Sequence, residues 1–333
     1  MPLENKNILI TGGCGFLGLR LAENILKNHR LKTIRVYDNR ELAVVEMERK
    51  IKDPRLRFLI GDVRDKDRLK MAMNDVDIVI HAAALKHVPV CEFNPIEAIK
   101  TNINGAANVI EVALESDVEK VMAISTDKAV CPVNLYGATK MAAEKLFIQA
   151  NSYKGKRKVL FSCVRYGNVV ASSGSVIPLF KEQRKKGFLT ITDKRMTRFW
   201  ITINQGIKFI INSIKEMEGG EIFVPKIPSV KITDLAFAIE PKAEIKVIGI
   251  RPGEKIHEEL LTIDEARHSM DIGDYFIIYP EQSDWQGGIF SKKGKNLSEG
   301  FSYSSGNNNE WLSGENLKRL LEDIEEKRQF DKF

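Results

Sequence analysis

The chain has 333 residues, 43% of them apolar and 29% charged, with a formal charge of +6. That length admits one large domain or two fused lobes, and the balance suits a globular chain that buries a substantial core. No run approaches the roughly 18 consecutive apolar residues of a membrane helix, and the basic residues alternate with acids, as in KDKDRLK and EDIEEKR, instead of forming a stripe for nucleic acid.

In chain order, MPLENKN lacks the basic-then-apolar pattern of a signal peptide, so a cytoplasmic chain is expected. NILI (Asn7 to Ile10) reads as a strand, followed by a helix through Leu19 to Lys27. TIRVYD ends at Asp38, RFLIGDV ends near Val63, and DIVIHAAA covers Asp77 to Ala84. EAIKTNINGAANVIEVALES reads as helix, and KVMAIST (Lys120 to Thr126) as the next strand. Short, continuous apolar runs separated by helices predict strands buried on both faces. The expected fold class is α/β, a doubly wound parallel Rossmann sheet with a smaller C-terminal substrate-binding lobe. Residues 1–173 are expected to form the dinucleotide-binding domain and to carry the catalytic residues. Residues 174–333 are expected to be mostly substrate lobe and tail, with some segments returning to the first domain. That second part mixes strands (LTIT, GEIFVPK, KVIGI), helices (NQGIKFIINSIKEM, TDLAFAIE), a polar stretch from Ser291 to Asn309 and a last helix, ENLKRLLEDIEEKR.

Cys14, Cys91, Cys131 and Cys163 stand far apart without a CxxC pair, and the five histidines form no HExxH. No metal site is expected, and the cysteines read as small, reduced core residues.

TGGCGFLG (Thr11 to Gly18) spaces Gly12, Gly15 and Gly18 as GxxGxxG between a strand and a helix. Small residues there let backbone approach a pyrophosphate, and the helix start supplies N–H donors. Asp38 lies 20 residues after Gly18, where a carboxylate can bind both ribose hydroxyls of NAD and repel a 2′-phosphate. Arg35 and Arg40 lie nearby, and Arg40 offers the opposite reading, a cation for the NADP phosphate. NAD is favoured, with NADP as the alternative. Asp62 and Val63 are placed to touch adenine, and Ala82 and Ala83 leave room for cofactor.

Tyr136 and Lys140 form YxxxK, one helical turn apart on a shared face. A tyrosine titrates near 10, so it needs nearby positive charge to act as a base at neutral pH. With GxxGxxG and the strand ending Ser125-Thr126, the chain resembles the extended short-chain dehydrogenase/reductase family, whose hydroxyl–Tyr–Lys triad falls on Thr126, Tyr136 and Lys140. STDK adds Asp127 and Lys128 where sugar-nucleotide 4,6-dehydratases of that family carry an extra acid and base. Together with AALKHVP (Ala83 to Pro89), NLYGATK, VRYGNVV, MTRFWIT, GGEIFVPKIPS, RPGEKIHE and SYSSGNNNEW, Asp127-Lys128 makes the chain similar to the inverting UDP-N-acetylglucosamine 4,6-dehydratases.

That resemblance implies a UDP-sugar substrate, the opening step of pseudaminic acid biosynthesis and a homo-oligomer, with neither nucleic acid nor membrane as partner. It implies a C4 oxidation by Tyr136, Lys140 and Thr126, C5 deprotonation by a neutral Lys128 and proton donation to the C6 hydroxyl by Asp127. Lys86 and Lys140 are the expected neighbours that keep Lys128 neutral. The implied cofactor cradle comprises Gly12, Cys14, Gly15, Phe16, Leu17, Gly18, Asp38, Asn39, Arg40, Asp62, Val63, Ala82, Ala83, Lys86, Tyr136, Lys140 and Val169. Lys86, Thr126, Asn168, Arg198, Arg251 and Glu254 are the implied substrate contacts, the last three at the nucleotide end. The chain departs from the family's commoner TGGTGSFG at Cys14, Phe16 and Leu17, and from its Ser-Arg at Asp38-Asn39. The alternatives are a sugar-nucleotide 4-epimerase or reductase on the same scaffold, or a non-catalytic NAD(P)-binding regulator.

Overall fold

A computed structural model describes residues 3–170, 176–280 and 290–330. The first half runs β1 (Asn7–Thr11), α1 (Phe16–Asn28), β2 (Thr33–Asp38), α2 (Glu41–Lys50), β3 (Leu56–Ile60), α3 (Lys66–Met73) and β4 (Ile78–His81). It continues with α4 (Val88–Phe93), α5 (Pro95–Ile99), a π-helical turn (Lys100–Asn104), α6 (Gly105–Leu114), β5 (Lys120–Thr126), α7 (Leu135–Tyr153) and β6 (Leu160–Tyr166). The strands stand in the order β3-β2-β1-β4-β5-β6, all parallel. Ile8, Leu9 and Ile10 of β1 and Val79 and Ile80 of β4 are fully buried, as a sheet covered by helices on both faces requires. Strand order reverses between β1 and β4, and the crevice at the C-terminal ends of such strands is where a doubly wound sheet binds ligands.

The sheet continues beyond β6. Ile222–Pro225 adds a parallel strand, and Tyr275–Ile278, Ser269–Asp271 and Lys295–Asn296 follow antiparallel. A second apolar cluster, including Phe180, Leu189, Trp200, Leu235 and Leu317, forms the core of a smaller lobe. Its strands include a parallel pair, Phe188–Ile191 with Glu244–Val247, and a small sheet of Ser229–Lys231, Thr197–Ile201 and Asn168–Val169. Glu315–Arg328, read from sequence as the last helix, falls within the helix Gly314–Phe330. Among the described residues, no helix is long and apolar enough to cross a membrane.

Three expectations need correction. The third strand ends at Ile60, not near Val63, because the chain turns at Gly61 to pack against the Tyr37 ring; Asp62 and Val63 therefore lie in the loop before α3. The segment read as one helix through EAIKTNINGAANVIEVALES is broken by the π turn, where buried Asn102 bonds both backbone groups of Leu85 (2.8 and 2.9 Å) and Thr139 Oγ1 (2.9 Å). Such bulges sit frequently at functional sites, and Thr101 of this one lines the cleft. Cys131 is exposed, at a turn with φ of 41°, whereas Cys91 and Cys163 are buried.

Candidate active site

A cleft of about 810 Å³ runs along the C-terminal ends of the parallel strands, from Asp38 and Asp62 at one end to Thr126, Tyr136 and Lys140 at the other. Of the expected cofactor cradle, every residue lines it except Cys14. Cys14 instead contributes its backbone N–H, which donates to Asp38 Oδ2 at 3.1 Å. Gly12 has a φ of 65°, and a Cβ there would lie 2.7 Å from Ala83 Cα, so the floor between β1 and β4 needs glycine. Gly15 precedes α1, whose first turn has no side-chain cap and no acidic residue. The free N–H donors of that turn suit a pyrophosphate. These features fit a nicotinamide dinucleotide.

Asp38 is not open to a ribose as expected. Arg40 forks onto it, with Nε and Nη2 each 2.9 Å from a carboxylate oxygen, and Arg40 N–H donates to it as well. The same fork corrects the reading of Arg40 as a free cation for a 2′-phosphate. Arg35 points away, donating to the Ala72 carbonyl at 2.9 Å.

At the other end, β5 leads directly into a short 3-10 turn, Asp127–Ala129. Thr126 Oγ1 donates to Asp127 Oδ1 at 3.0 Å. Asn134 caps α7 by accepting from Gly137 N–H at 2.8 Å, which sets Tyr136 in the first turn beside Thr126. A Cβ on Gly137 would meet the Lys128 carbonyl oxygen at 2.1 Å, so the catalytic helix can approach the Asp127–Lys128 turn this closely only with glycine. Gly137→Ala is expected to cost about 1–3 kcal/mol of stability through overpacking, read by denaturant melting against the parent chain.

The electrostatics differ from those expected of Lys128. Its Nζ lies 3.1 Å from Asp127 Oδ1 and 3.2 Å from Glu258 Oε1. Burial alone would lower the ammonium's pKa, but the two carboxylates outweigh it and hold Lys128 well above the lysine range. The cation among its leading influences is Arg198, in place of the expected Lys86 and Lys140. A neutral Lys128 is therefore not the resting state of the chain. Burial raises Asp127, opposed by Lys128 and helped by the charge of Glu258. Burial would raise Glu258 too, yet Lys128, Arg198 and Lys255 hold it below the usual carboxylate range. Two buried carboxylates thus diverge, one toward acid and one toward base, the pattern that marks acid–base assignments.

Burial pushes the Tyr136 phenol up to about 12, and the cation that opposes this is Lys128, not the Lys140 expected from YxxxK. Lys140 is itself buried and lowered by burial; its charge helps burial to push His81 down to about 3. Asp127 Oδ2, Ser125 Oγ, Asn168 Oδ1 and Glu258 Oε2 are buried without a hydrogen-bond partner. Buried polar atoms are normally paired; of these, Ser125 lines the cleft, and Asp127 and Glu258 flank the Lys128 ammonium.

Of the expected substrate contacts, Lys86 and Thr126 line the cleft. Arg198 is placed differently from its expected nucleotide-end role: it donates to the Thr197 and Ile256 carbonyls at 2.7 and 3.1 Å and lies 3.8 Å from Glu258. Arg251 is exposed, and it and Glu254 form a turn held to the catalytic helix by the Asn134 Nδ2 bond to the Gly253 carbonyl, 2.8 Å. Glu258 itself carried no sequence-based role, although it closes RPGEKIHE; a second carboxylate in a motif that also holds Arg251 and Lys255 was the available signal. Among the described residues, no group of three or more His, Cys, Asp or Glu could hold a metal ion.

Residues 8–280 match the family model described as "Polysaccharide biosynthesis protein". The chain is 49% identical over 330 residues to the inverting UDP-N-acetylglucosamine 4,6-dehydratase of Campylobacter jejuni, covering 97% of this chain and 99% of that one. It is 39% identical over 325 residues to the UDP-glucose 4-epimerase of Rickettsia bellii, covering 95% of each. The X-ray structure of Pen from Bacillus thuringiensis matches with a TM-score of 0.88 at 38% identity, covering 98% of this chain and 99% of that one.

Proposed function

Because this chain belongs to the polysaccharide biosynthesis protein family, we propose that it is a nicotinamide-dependent UDP-N-acetylglucosamine 4,6-dehydratase that inverts C5. The product is UDP-2-acetamido-2,6-dideoxy-L-arabino-hexos-4-ulose. The carrying observation is Asp127: a fully buried acid with one unpartnered oxygen, beside Tyr136 and an ion-paired lysine. A 4-epimerase needs only the tyrosine and its partners, whereas loss of the C6 hydroxyl needs a proton donor.

A nicotinamide held along Gly12, Gly15, Ala82 and Ala83 would supply the hydride chemistry, taking a hydride at C4 and giving it back at C6. Tyr136 takes the C4 hydroxyl proton, and its raised pKa means that the bound, cationic cofactor must help Lys128 to favour the phenolate. The 4-ketone acidifies C5–H, Lys128 removes that proton, and Asp127 protonates the departing hydroxyl. Lys86 and Asn168 orient the substrate, and Arg251 and Glu254 serve its nucleotide end. Arg198 acts instead at the reacting end, beside Glu258 and Lys128. The enzyme acts in the cytoplasm as a homo-oligomer, at the entry to pseudaminic acid synthesis.

The cofactor is NAD. What supports this reading is a buried carboxylate, Asp38, at the cleft, with Arg40, the cation a 2′-phosphate would need, committed to it. Denatured protein is expected to release mainly NAD, and Asp38→Ser to narrow the preference against NADP by about tenfold, roughly 1.4 kcal/mol; release of NADP alone from the wild type would overturn this.

The relative named as a 4-epimerase supplies the second reading, and product mass separates the two. Purified protein given UDP-N-acetylglucosamine without added cofactor is expected to yield a product lighter by one water; a product of unchanged mass would establish epimerisation instead.

A further inference from the structure

We infer that Glu258 is a positioning residue for elimination: its carboxylate holds Lys128 between itself and Asp127 and accepts the proton that Lys128 must shed before attacking C5–H. The inference rests on the dehydratase reading above, and wild-type product formation decides that reading separately.

The geometry supplies the donor and acceptor. Lys128 Nζ is 3.2 Å from Glu258 Oε1 and 3.1 Å from Asp127 Oδ1, within reach for proton transfer without rearrangement. Glu258 is 3% exposed, and its Oε2 has no hydrogen-bond partner. The charged and titratable groups facing the pair are Asp127 and Tyr136 beside Lys128, and Arg198 (3.8 Å) and Lys255 (4.0 Å) beside Glu258. The Lys128 side chain is still 24% exposed. A sugar seated over it removes the remaining water, and a buried ion pair is costly once water is gone. Desolvation by the substrate therefore favours the neutral amine beside a neutral acid. Asp127 is assigned the proton that leaves with the C6 hydroxyl, so the proton that Lys128 sheds needs a second acceptor, and Glu258 Oε1 at 3.2 Å is the one in reach.

The step balances. Lys128–NH3⁺ gives one proton to Glu258 Oε1, and its freed lone pair takes the C5 hydrogen as a proton. The C5–H electron pair becomes the C5–C6 π bond as the C6–O bond breaks, and the leaving hydroxyl takes the Asp127 proton to depart as water. Lys128 is again an ammonium, Glu258 is a neutral acid and Asp127 a carboxylate. Lys128 then passes a proton to Asp127 and is refilled from Glu258, which resets all three groups.

The test is Glu258→Gln, which keeps the volume and removes the acceptor. With the proton kept inside the pair, wild-type elimination is expected to be flat from about pH 6 to pH 9. In Glu258→Gln, Lys128 must release its proton to solvent, so elimination at pH 7 should fall at least about 100-fold and recover about tenfold per pH unit. C4 oxidation, read in single turnover as reduced nicotinamide absorbance, should stay within a few-fold. Flat elimination in the variant close to the wild-type rate would overturn the inference. So would an equal loss of oxidation and elimination without the pH slope, which marks a structural role. If the variant fails to fold, the wild-type profile still decides, since a tenfold rise per unit across that range would put the Lys128 proton in bulk solvent.

Discussion

Tyr136→Phe is expected to lower turnover by about 10²–10⁴-fold, the usual range for losing a general base and equal to roughly 3–5 kcal/mol of barrier. UDP-sugar affinity should stay within a few-fold, because the ring keeps its place in the first turn of α7 and only the hydroxyl beside Thr126 is lost. Calorimetric titration with UDP-N-acetylglucosamine, beside a turnover assay, checks both halves. Turnover within a few-fold of the parent chain would remove Tyr136 from the chemistry. The pH dependence has a definite sign: the phenol is raised by burial, so the oxidation rate of the parent enzyme should climb with pH until the phenolate is fully formed.

The second large effect belongs to Lys128→Ala. C4 oxidation should continue at a reduced rate, because Tyr136 and Thr126 remain but the cation that favours the phenolate is lost. Water elimination should slow by a further factor of about 10²–10⁴. Reduced nicotinamide should then accumulate and be visible by absorbance. The truncation also leaves Glu258 and Asp127 facing each other across the space of the lost ammonium, so some loss of stability is expected, and a melt should accompany the kinetics. In the parent enzyme, turnover in deuterated water should place deuterium at C5 with the L-arabino configuration. A D-xylo product would leave dehydration intact and refute the inverting role of Lys128.

Much of the scaffold is legible in the sequence because its strands are buried on both faces and so read as unbroken apolar runs. Lys120–Thr126 and the end of β2 at Asp38 fall where those runs place them, and the glycine loop announces itself through its strand and helix. The π turn is not legible: its cause is Asn102 reaching Leu85 and Thr139, contacts between segments distant in the chain. The same holds for the charge state of Lys128. Its two controlling carboxylates are Asp127, its neighbour, and Glu258, brought from the far lobe segment by the fold, and only the first is visible in STDK. Asp38 and Arg40 are two residues apart, yet nothing in that spacing says that they close on each other; this follows from an extended backbone at Arg40 ahead of α2.

Asn134 divides its amide between two masters: the oxygen is committed to the start of the catalytic helix at Gly137, the nitrogen to the Gly253 carbonyl in the turn carrying Arg251 and Glu254. A planar amide cannot stretch, so it works as a short, stiff linkage. It ties that turn to the first winding of α7, where the phenol sits. With Arg251 and Glu254 at the nucleotide end, as proposed, a substrate fragment too short to touch the turn is expected to lose turnover as well as affinity.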